Sequence, residues 1–201
     1  MDEMMQDYWF HFVRTIDDAE EEPQKNVRLW SFFYETASAA AAAIVILFVV
    51  FTFFVRGVGV QGESMQPTLQ DGDWLGVSVL SAADRYDVVI LTQPNSMDKP
   101  LVKRIIAKGG ETVNIDFISH VLTVDDKVLE ENYIAELTEE SGDVQFPLTV
   151  PKGQVFVLGD NRNNSLDSRF SVIGCIDENY ILGVAKYRVY PFKGISDITI
   201  K

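Results

Sequence analysis

The sequence predicts a mainly β domain, built as antiparallel meanders or a partly closed barrel, preceded by one transmembrane helix and an amphipathic N-terminal helix. Three observations predict it. Ala37–Val55 carries no charge and no proline. From Val58 onward, short runs rich in Val, Ile and Leu alternate with Gly, Asp and Pro, the spacing of a β domain. Before the apolar run, Met5, Tyr8, Trp9, Phe12, Val13 and Ile16 recur at three- and four-residue spacing.

That spacing gives the first helix an apolar face. Its polar residues are acidic, ending in Asp17-Asp18-Ala19-Glu20-Glu21-Glu22 before a break at Pro23. Membrane-surface helices usually carry lysines there, and anionic lipid would repel this one. The expectation is a helix packed on its own anchor or on a partner.

At about 1.5 Å per helical residue, Ala37–Val55 would extend roughly 28 Å, close to the hydrocarbon thickness of a bilayer. Phe32, Phe33 and Tyr34 precede it, and Phe51, Phe53 and Phe54 close it, as interfacial aromatics do. The preceding segment is too long and too acidic for a cleaved secretory signal. Lys25 and Arg28 lie before the span and Arg56 after it, which favours a cytoplasmic N-terminus.

The strands expected after the span are 74–79, 87–91, 101–107, 112–115, 121–124, 155–158 and 181–190. Asp71-Gly72-Asp73, Gln93-Pro94-Asn95, Gly109-Gly110 and Asp125-Asp126 are the turns between them. Helix is expected only as single turns at 80–85 and 177–180.

Composition excludes several functions. A net charge of −13, from 17 Lys+Arg and 30 Asp+Glu, argues against a nucleic-acid partner. One cysteine, Cys175, excludes an internal disulfide and any multi-cysteine metal site, and its apolar setting reads as a small core residue. Of the two histidines, His11 lies before the span, so only His120 remains for a Ser–His pair, in a turn leading into a strand. The scarcity of histidine, the usual base, shifts attention to lysine.

Three stretches permit chemistry. The first is Gly62-Glu63-Ser64-Met65-Gln66-Pro67-Thr68-Leu69, nine residues past the apolar run. It reads either as an ordinary turn or as a nucleophile site in which Gly62 allows the close backbone approach an oxyanion needs. The second is Leu101-Val102-Lys103-Arg104-Ile105-Ile106. On a strand Lys103 shares a face with Leu101 and Ile105, and Arg104 faces the other way. Lys103 is then either a strand-edge residue reaching water or a desolvated amine. A free lysine is neutral in about one molecule in a few thousand at pH 7, and burial lowers its pKa by up to about 3–5 units. Only a buried Lys103 could therefore deprotonate a serine. The third is the polar loop Gly159-Asp160-Asn161-Arg162-Asn163-Asn164-Ser165-Leu166-Asp167-Ser168-Arg169. It fits a solvated turn or a fixed ionic network, but Arg162 stands where a calcium loop needs Asp or Asn. No metal or cofactor is expected.

Together these stretches resemble the bacterial type I signal peptidases. The first is similar to the family's serine box and the second to its lysine box. The third resembles the motif Gly-Asp-Asn-Arg-Asp-Asn-Ser-x-Asp-Ser-Arg. The likeness covers roughly 45–191, in the compact form of Gram-positive bacteria. It implies Ser64 as nucleophile, Lys103 as general base, and the Ser64 N–H as oxyanion donor. Gly62 stands where the family often supplies a second donor hydroxyl. Ser165 would orient the Lys103 amine, and Asp160, Arg162, Asp167 and Arg169 would hold the loop. Val60, Gln61, Met65, Leu69, Leu101 and Val102 match positions lining the substrate pockets. Two departures stand out: Asn163 replaces a common acid, and Ala107–Glu111 replaces Gly-Leu-Pro-Gly-Asp.

The resemblance implies a membrane-bound serine endopeptidase of the cell membrane that removes signal peptides after small residues, by an acyl-enzyme. Residues 1–36 would be cytoplasmic, 37–55 the anchor and 56–201 the extracytoplasmic peptidase domain. Its partners would be preprotein signal peptides, the lipid bilayer and the secretion translocon. Two other readings compete: a self-cleaving repressor-type Ser/Lys peptidase, which would carry a DNA-binding helix-turn-helix, and a tethered β domain with no catalysis.

Overall fold

The computed structural model describes residues 3–20, 22–53, 55–92, 99–191 and 196–197. It divides into two compact units, Met1–Val50 and Phe51–Lys201.

The first unit contains α1 (Glu3–Glu20) and most of α2 (Glu22–Phe53). Pro23 sits in the first turn of α2, where its missing N–H costs nothing. Helix geometry does not stop at charges, so α2 begins well before the charge-free run. Within it, Asn26–Val49 is long and apolar enough to cross a membrane, and none of it is buried by protein. Ile44, Val45, Ile46, Leu47 and Phe48 are all exposed. The apolar face of α1 is also open, with Tyr8 80% and Trp9 64% exposed. Packing of α1 against its own anchor is therefore not what the structure has.

In the second unit the strands are β1 (Val55–Gly59), β2 (Trp74–Ser78), β3 (Val88–Leu91), β4 (Leu101–Lys108), β5 (Thr112–Asp116), β6 (Val121–Val124), β7 (Lys127–Val128), β8 (Leu148–Thr149), β9 (Gln154–Leu158), β10 (Ile176–Asp177), β11 (Ile181–Tyr190) and β12 (Ser196–Asp197). The larger sheet runs β1-β2-β11-β3-β4-β9-β10, with β12 on β11; the smaller runs β7-β6-β5-β8. Neighbouring strands pair antiparallel throughout. This is the mainly β, antiparallel fold expected.

Every strand foreseen is present within a residue at each end. The turn at 93–95 lies outside the described residues. Residues 80–81 bend, 82–84 are irregular and 85 enters a turn, so no helical turn forms there. Competition from a side chain explains it: the Asp87 carboxylate takes the Asp84 N–H at 3.0 Å, which fixes a tight turn into β3. Glu178–Tyr180 is a single 3₁₀ turn, capped by Asp177.

Three apolar clusters position the site. Met65 and Leu69 pack with Val60, Leu75, Val77 and Ile90. Leu91, Ile105, Val155 and Val157 fill a second cluster with Ile173 and Val184. A third joins the two sheets through Ile106, Val113, Leu122, Val124, Phe156 and Leu158, with Cys175 half-buried at its edge. Burial raises the pKa of the Cys175 thiol, so it behaves as a small packing residue.

Candidate active site

Ser64 lies on the excursion between β1 and β2. Hydrogen bonds from Val60 N–H to Asp73 O and from Gly72 N–H to Val60 O close its base. One helical turn inside it, Leu69 N–H to Met65 O, drives both side chains into the core. Gly62, at φ +89°, lets the chain reverse ahead of the serine. Its N–H donates to Asp71 Oδ1 at 2.8 Å.

Lys103 lies on β4, between β3 and β9. It is 3% exposed, flanked by Leu101 and Ile105, and its Nζ stands 2.6 Å from Ser64 Oγ. Burial lowers its pKa from the free-lysine value to about 8, while the charges of Asp167 and Asp160 pull it partly back. The strand-edge reading of Lys103 does not survive this burial.

The polar loop wraps over the serine turn. Asn161 donates its N–H to Ser64 O at 3.0 Å and its Nδ2 to Glu63 O at 3.2 Å. Asp160, Arg162, Asp167 and Arg169 are each at most 1% exposed. Asp167 takes Arg169 in a two-pronged pair, at 2.9 Å on both sides, and also receives the Gly159 N–H. Asp160 receives Arg104 Nε at 2.8 Å and Nη2 at 2.6 Å. Arg162 pairs with Glu131 and donates to Thr138 Oγ1 and Gly159 O. The loop is therefore a buried ionic network and not a solvated turn.

Other placements differ from expectation. Ser165 Oγ is buried with no hydrogen-bond partner among the described residues, so the contact expected to orient Lys103 is absent. The amine is turned to Ser64 instead, and Ser165 packs against the bare α-carbon of Gly159. A cavity of about 610 Å³ runs beside Ser64 and Lys103. Val60, Gln61, Met65, Leu101 and Val102 line it, but Leu69 does not. Leu69 is fully buried in the core, four residues along the same helical turn from Met65. His120 is held away from such work, with Nδ1–H donating to Thr138 O at 2.9 Å. Among the described residues no cluster of His, Cys, Asp and Glu could hold a metal ion.

Sequence reasoning missed Arg104, Thr68, Glu131 and Tyr133. Arg104 lies under Asp160 with its guanidinium 4.3 Å from the Tyr133 ring centre. The signal for Arg104 was present: a charge inside an apolar strand whose two faces are both covered must find a buried partner. Nothing local marks Glu131 or Tyr133. Asn163, in place of an acid, donates Nδ2 to Leu137 O and accepts the Glu139 N–H, which an ionised acid could only half reproduce.

Residues 33–190 match the family described as signal peptidase, peptidase S26. The chain belongs to the signal peptidase family. Signal peptidase I of Bacillus amyloliquefaciens is 40% identical over 145 residues, which covers 66% of this chain and 72% of that protein. Signal peptidase I of Bacillus licheniformis is 31% identical over 183 residues, covering 86% and 96%. Signal peptidase IB of Staphylococcus aureus strain N315 is 34% identical over 165 residues, covering 73% and 83%. A solved signal peptidase I from Enterococcus faecalis V583 is 29% identical and covers 52% of this chain and 97% of that one, with a TM-score of 0.43. As a signal peptidase the chain is a hydrolase that cleaves signal peptides in protein secretion. Its family is membrane-associated, and α2 is the one candidate anchor among the described residues.

Proposed function

We propose that this signal peptidase works by a Ser64–Lys103 dyad, cutting preproteins after small residues of the Ala-x-Ala type. The observation that carries the reading is the 2.6 Å contact between a buried amine and a half-buried serine hydroxyl that lines the cavity. At a pKa of about 8, roughly a tenth of Lys103 is neutral at pH 7, against about one in a few thousand for a free lysine. With the amine neutral, Ser64 Oγ–H donates to Nζ across the same contact.

The steps follow. Ser64 Oγ attacks the scissile carbonyl carbon as its proton passes to Lys103 Nζ. The Ser64 N–H stabilises the oxyanion. The Lys103 ammonium protonates the leaving amine, so the mature protein departs and the signal peptide stays as an ester on Ser64. Water then gives a proton to the neutral amine and attacks the ester, and the Lys103 ammonium returns that proton to Ser64 Oγ as the signal peptide leaves with a new carboxyl end. Val60, Leu101 and Val102 give the cavity apolar walls that admit small side chains and exclude larger ones. Asp160, Arg162, Asp167 and Arg169 hold the loop that fixes the serine turn.

The apolar part of α2 crosses the cell membrane once. Residues 1–36 are cytoplasmic and 56–201 form the extracytoplasmic peptidase domain. Lys25 and Arg28 ahead of the span support that direction. The bilayer and the secretion translocon are its partners, and preprotein signal peptides its substrates. The test uses detergent-solubilised full-length protein and a preprotein. Ser64→Ala and Lys103→Ala should each abolish cleavage, and mass spectrometry should place the wild-type cut after a small residue. A variant of either residue that cleaves at the wild-type rate overturns the dyad.

A further inference from the structure

Thr68 stands four residues beyond Ser64 and takes no part in the serine–lysine contact. Its hydroxyl reaches across the site. Thr68 Oγ1 donates to Asp160 Oδ2 at 2.5 Å and accepts from Arg104 Nη2 at 3.4 Å. Both partners are buried, Asp160 at 1% and Arg104 at 0% exposed. Each is also the chain neighbour of a residue at the reacting centre. Asp160 precedes Asn161, whose N–H holds the Ser64 carbonyl, and Arg104 follows Lys103 on β4. Three segments distant in sequence thus meet at one hydroxyl: the serine turn, the lysine strand and the polar loop.

We infer that Thr68 is a positioning residue of the signal-peptide cleavage reaction, its hydroxyl tying the Ser64 turn to the Asp160–Arg104 pair and so holding Ser64 in register with Lys103. This rests on the Ser64–Lys103 reading above. The physical reason is satisfaction of a buried carboxylate. Arg104 occupies one lone pair on each Asp160 oxygen, and Thr68 supplies a further donor to Oδ2. Loss of that donor leaves buried negative charge less compensated. The site is sensitive to that charge, because Asp160 raises the pKa of Lys103. Loss also frees the far end of the serine turn, which Asn161 and Asn164 then hold to the loop only at Glu63 and Ser64.

Thr68→Val keeps the shape and removes the hydroxyl. Thr68→Ser keeps the hydroxyl and removes the methyl. If the hydroxyl positions the site, Thr68→Val lowers kcat about tenfold or more, the worth of one hydrogen bond to a charged group, with KM within about twofold. The midpoint of its pH–rate profile moves to higher pH, and Thr68→Ser stays within about threefold of wild type. If Thr68 only fills space, the order inverts: Thr68→Val keeps kcat and the pH midpoint, and Thr68→Ser is the damaged variant. That result overturns the proposal. Should Thr68→Val fold poorly, Thr68→Ala against Thr68→Ser isolates the hydroxyl, and equal kcat and pH midpoints in that pair also overturn it. Ser64→Ala and Lys103→Ala run beside them separate the two failures. Inactive dyad variants with an unaffected Thr68→Val remove only the tie, whereas active dyad variants remove the dyad and the tie together.

Discussion

The position a β-carbon would take on Gly159 lies 2.5 Å from the carbonyl oxygen of Ser64. The same point is 2.2 Å from Ser165 Oγ. No side chain fits there, so the glycine that follows β9 is what lets the polar loop lie directly on the serine turn.

Gly159→Ala should therefore displace the nucleophile. Overpacking of this kind costs about 1–3 kcal/mol, and a misplacement of around 1 Å near a reacting centre costs on the order of 10²-fold in rate. We expect a lowered melting temperature and a kcat loss of that order. A variant with wild-type kcat would show that the loop and turn can separate without consequence.

Such contacts explain what could be read in the sequence and what could not. β4, β9 and β11 were legible because their Val- and Ile-rich runs carry the period and composition of buried strands. β1 was not, because Val55-Arg56-Gly57-Val58-Gly59 has two glycines and no alternation to betray a strand. The loop's ionic residues were visible as types, but their partners were not. Arg162 meets Glu131 across 31 positions, through an irregular segment without any period. The dyad itself joins residues 39 apart, and no local pattern gives the distance between them. Ser165 shows the limit of a motif, since it names a residue without fixing where its hydroxyl points.

Activity should titrate with the amine. The reaction needs neutral Lys103, so kcat/KM rises with pH and levels off above a midpoint near the pKa of about 8. Lys103→Arg should be inactive at every accessible pH, because a guanidinium does not deprotonate in proteins. A profile still climbing at pH 10, as for a free lysine, would count against a buried base.

The same burial has a cost in stability. The folded-state pKa of Lys103 lies below its unfolded value, so folding works against the protonated amine. That penalty is full below about pH 8 and vanishes as pH rises to the unfolded value. A difference of about 2.5 units corresponds to roughly 3 kcal/mol. Lys103→Met, similar in shape and uncharged, should melt higher than wild type at pH 7, and the gap should close by about pH 10.5. Equal melting temperatures at pH 7 would mean that the ammonium is compensated where it lies.

Arg104 and Asp160 should behave as a unit. Both are removed from water, and their two-pronged pair is completed by Tyr86 O at 2.7 Å and by Thr68. Removing one partner strands the other as a buried charge, which costs about 3–5 kcal/mol, whereas removing both leaves no charge to strand. Arg104→Met and Asp160→Asn should each lower the denaturation midpoint by that order, and the double variant should lose far less than the sum. Catalysis need not follow stability. The double variant removes the carboxylate that raises the Lys103 pKa, so its pH–rate midpoint should fall below that of wild type even where the fold recovers. Additive losses in the double variant would mean that the two side chains act separately, and an unmoved midpoint would mean that the Asp160 charge does not reach the amine.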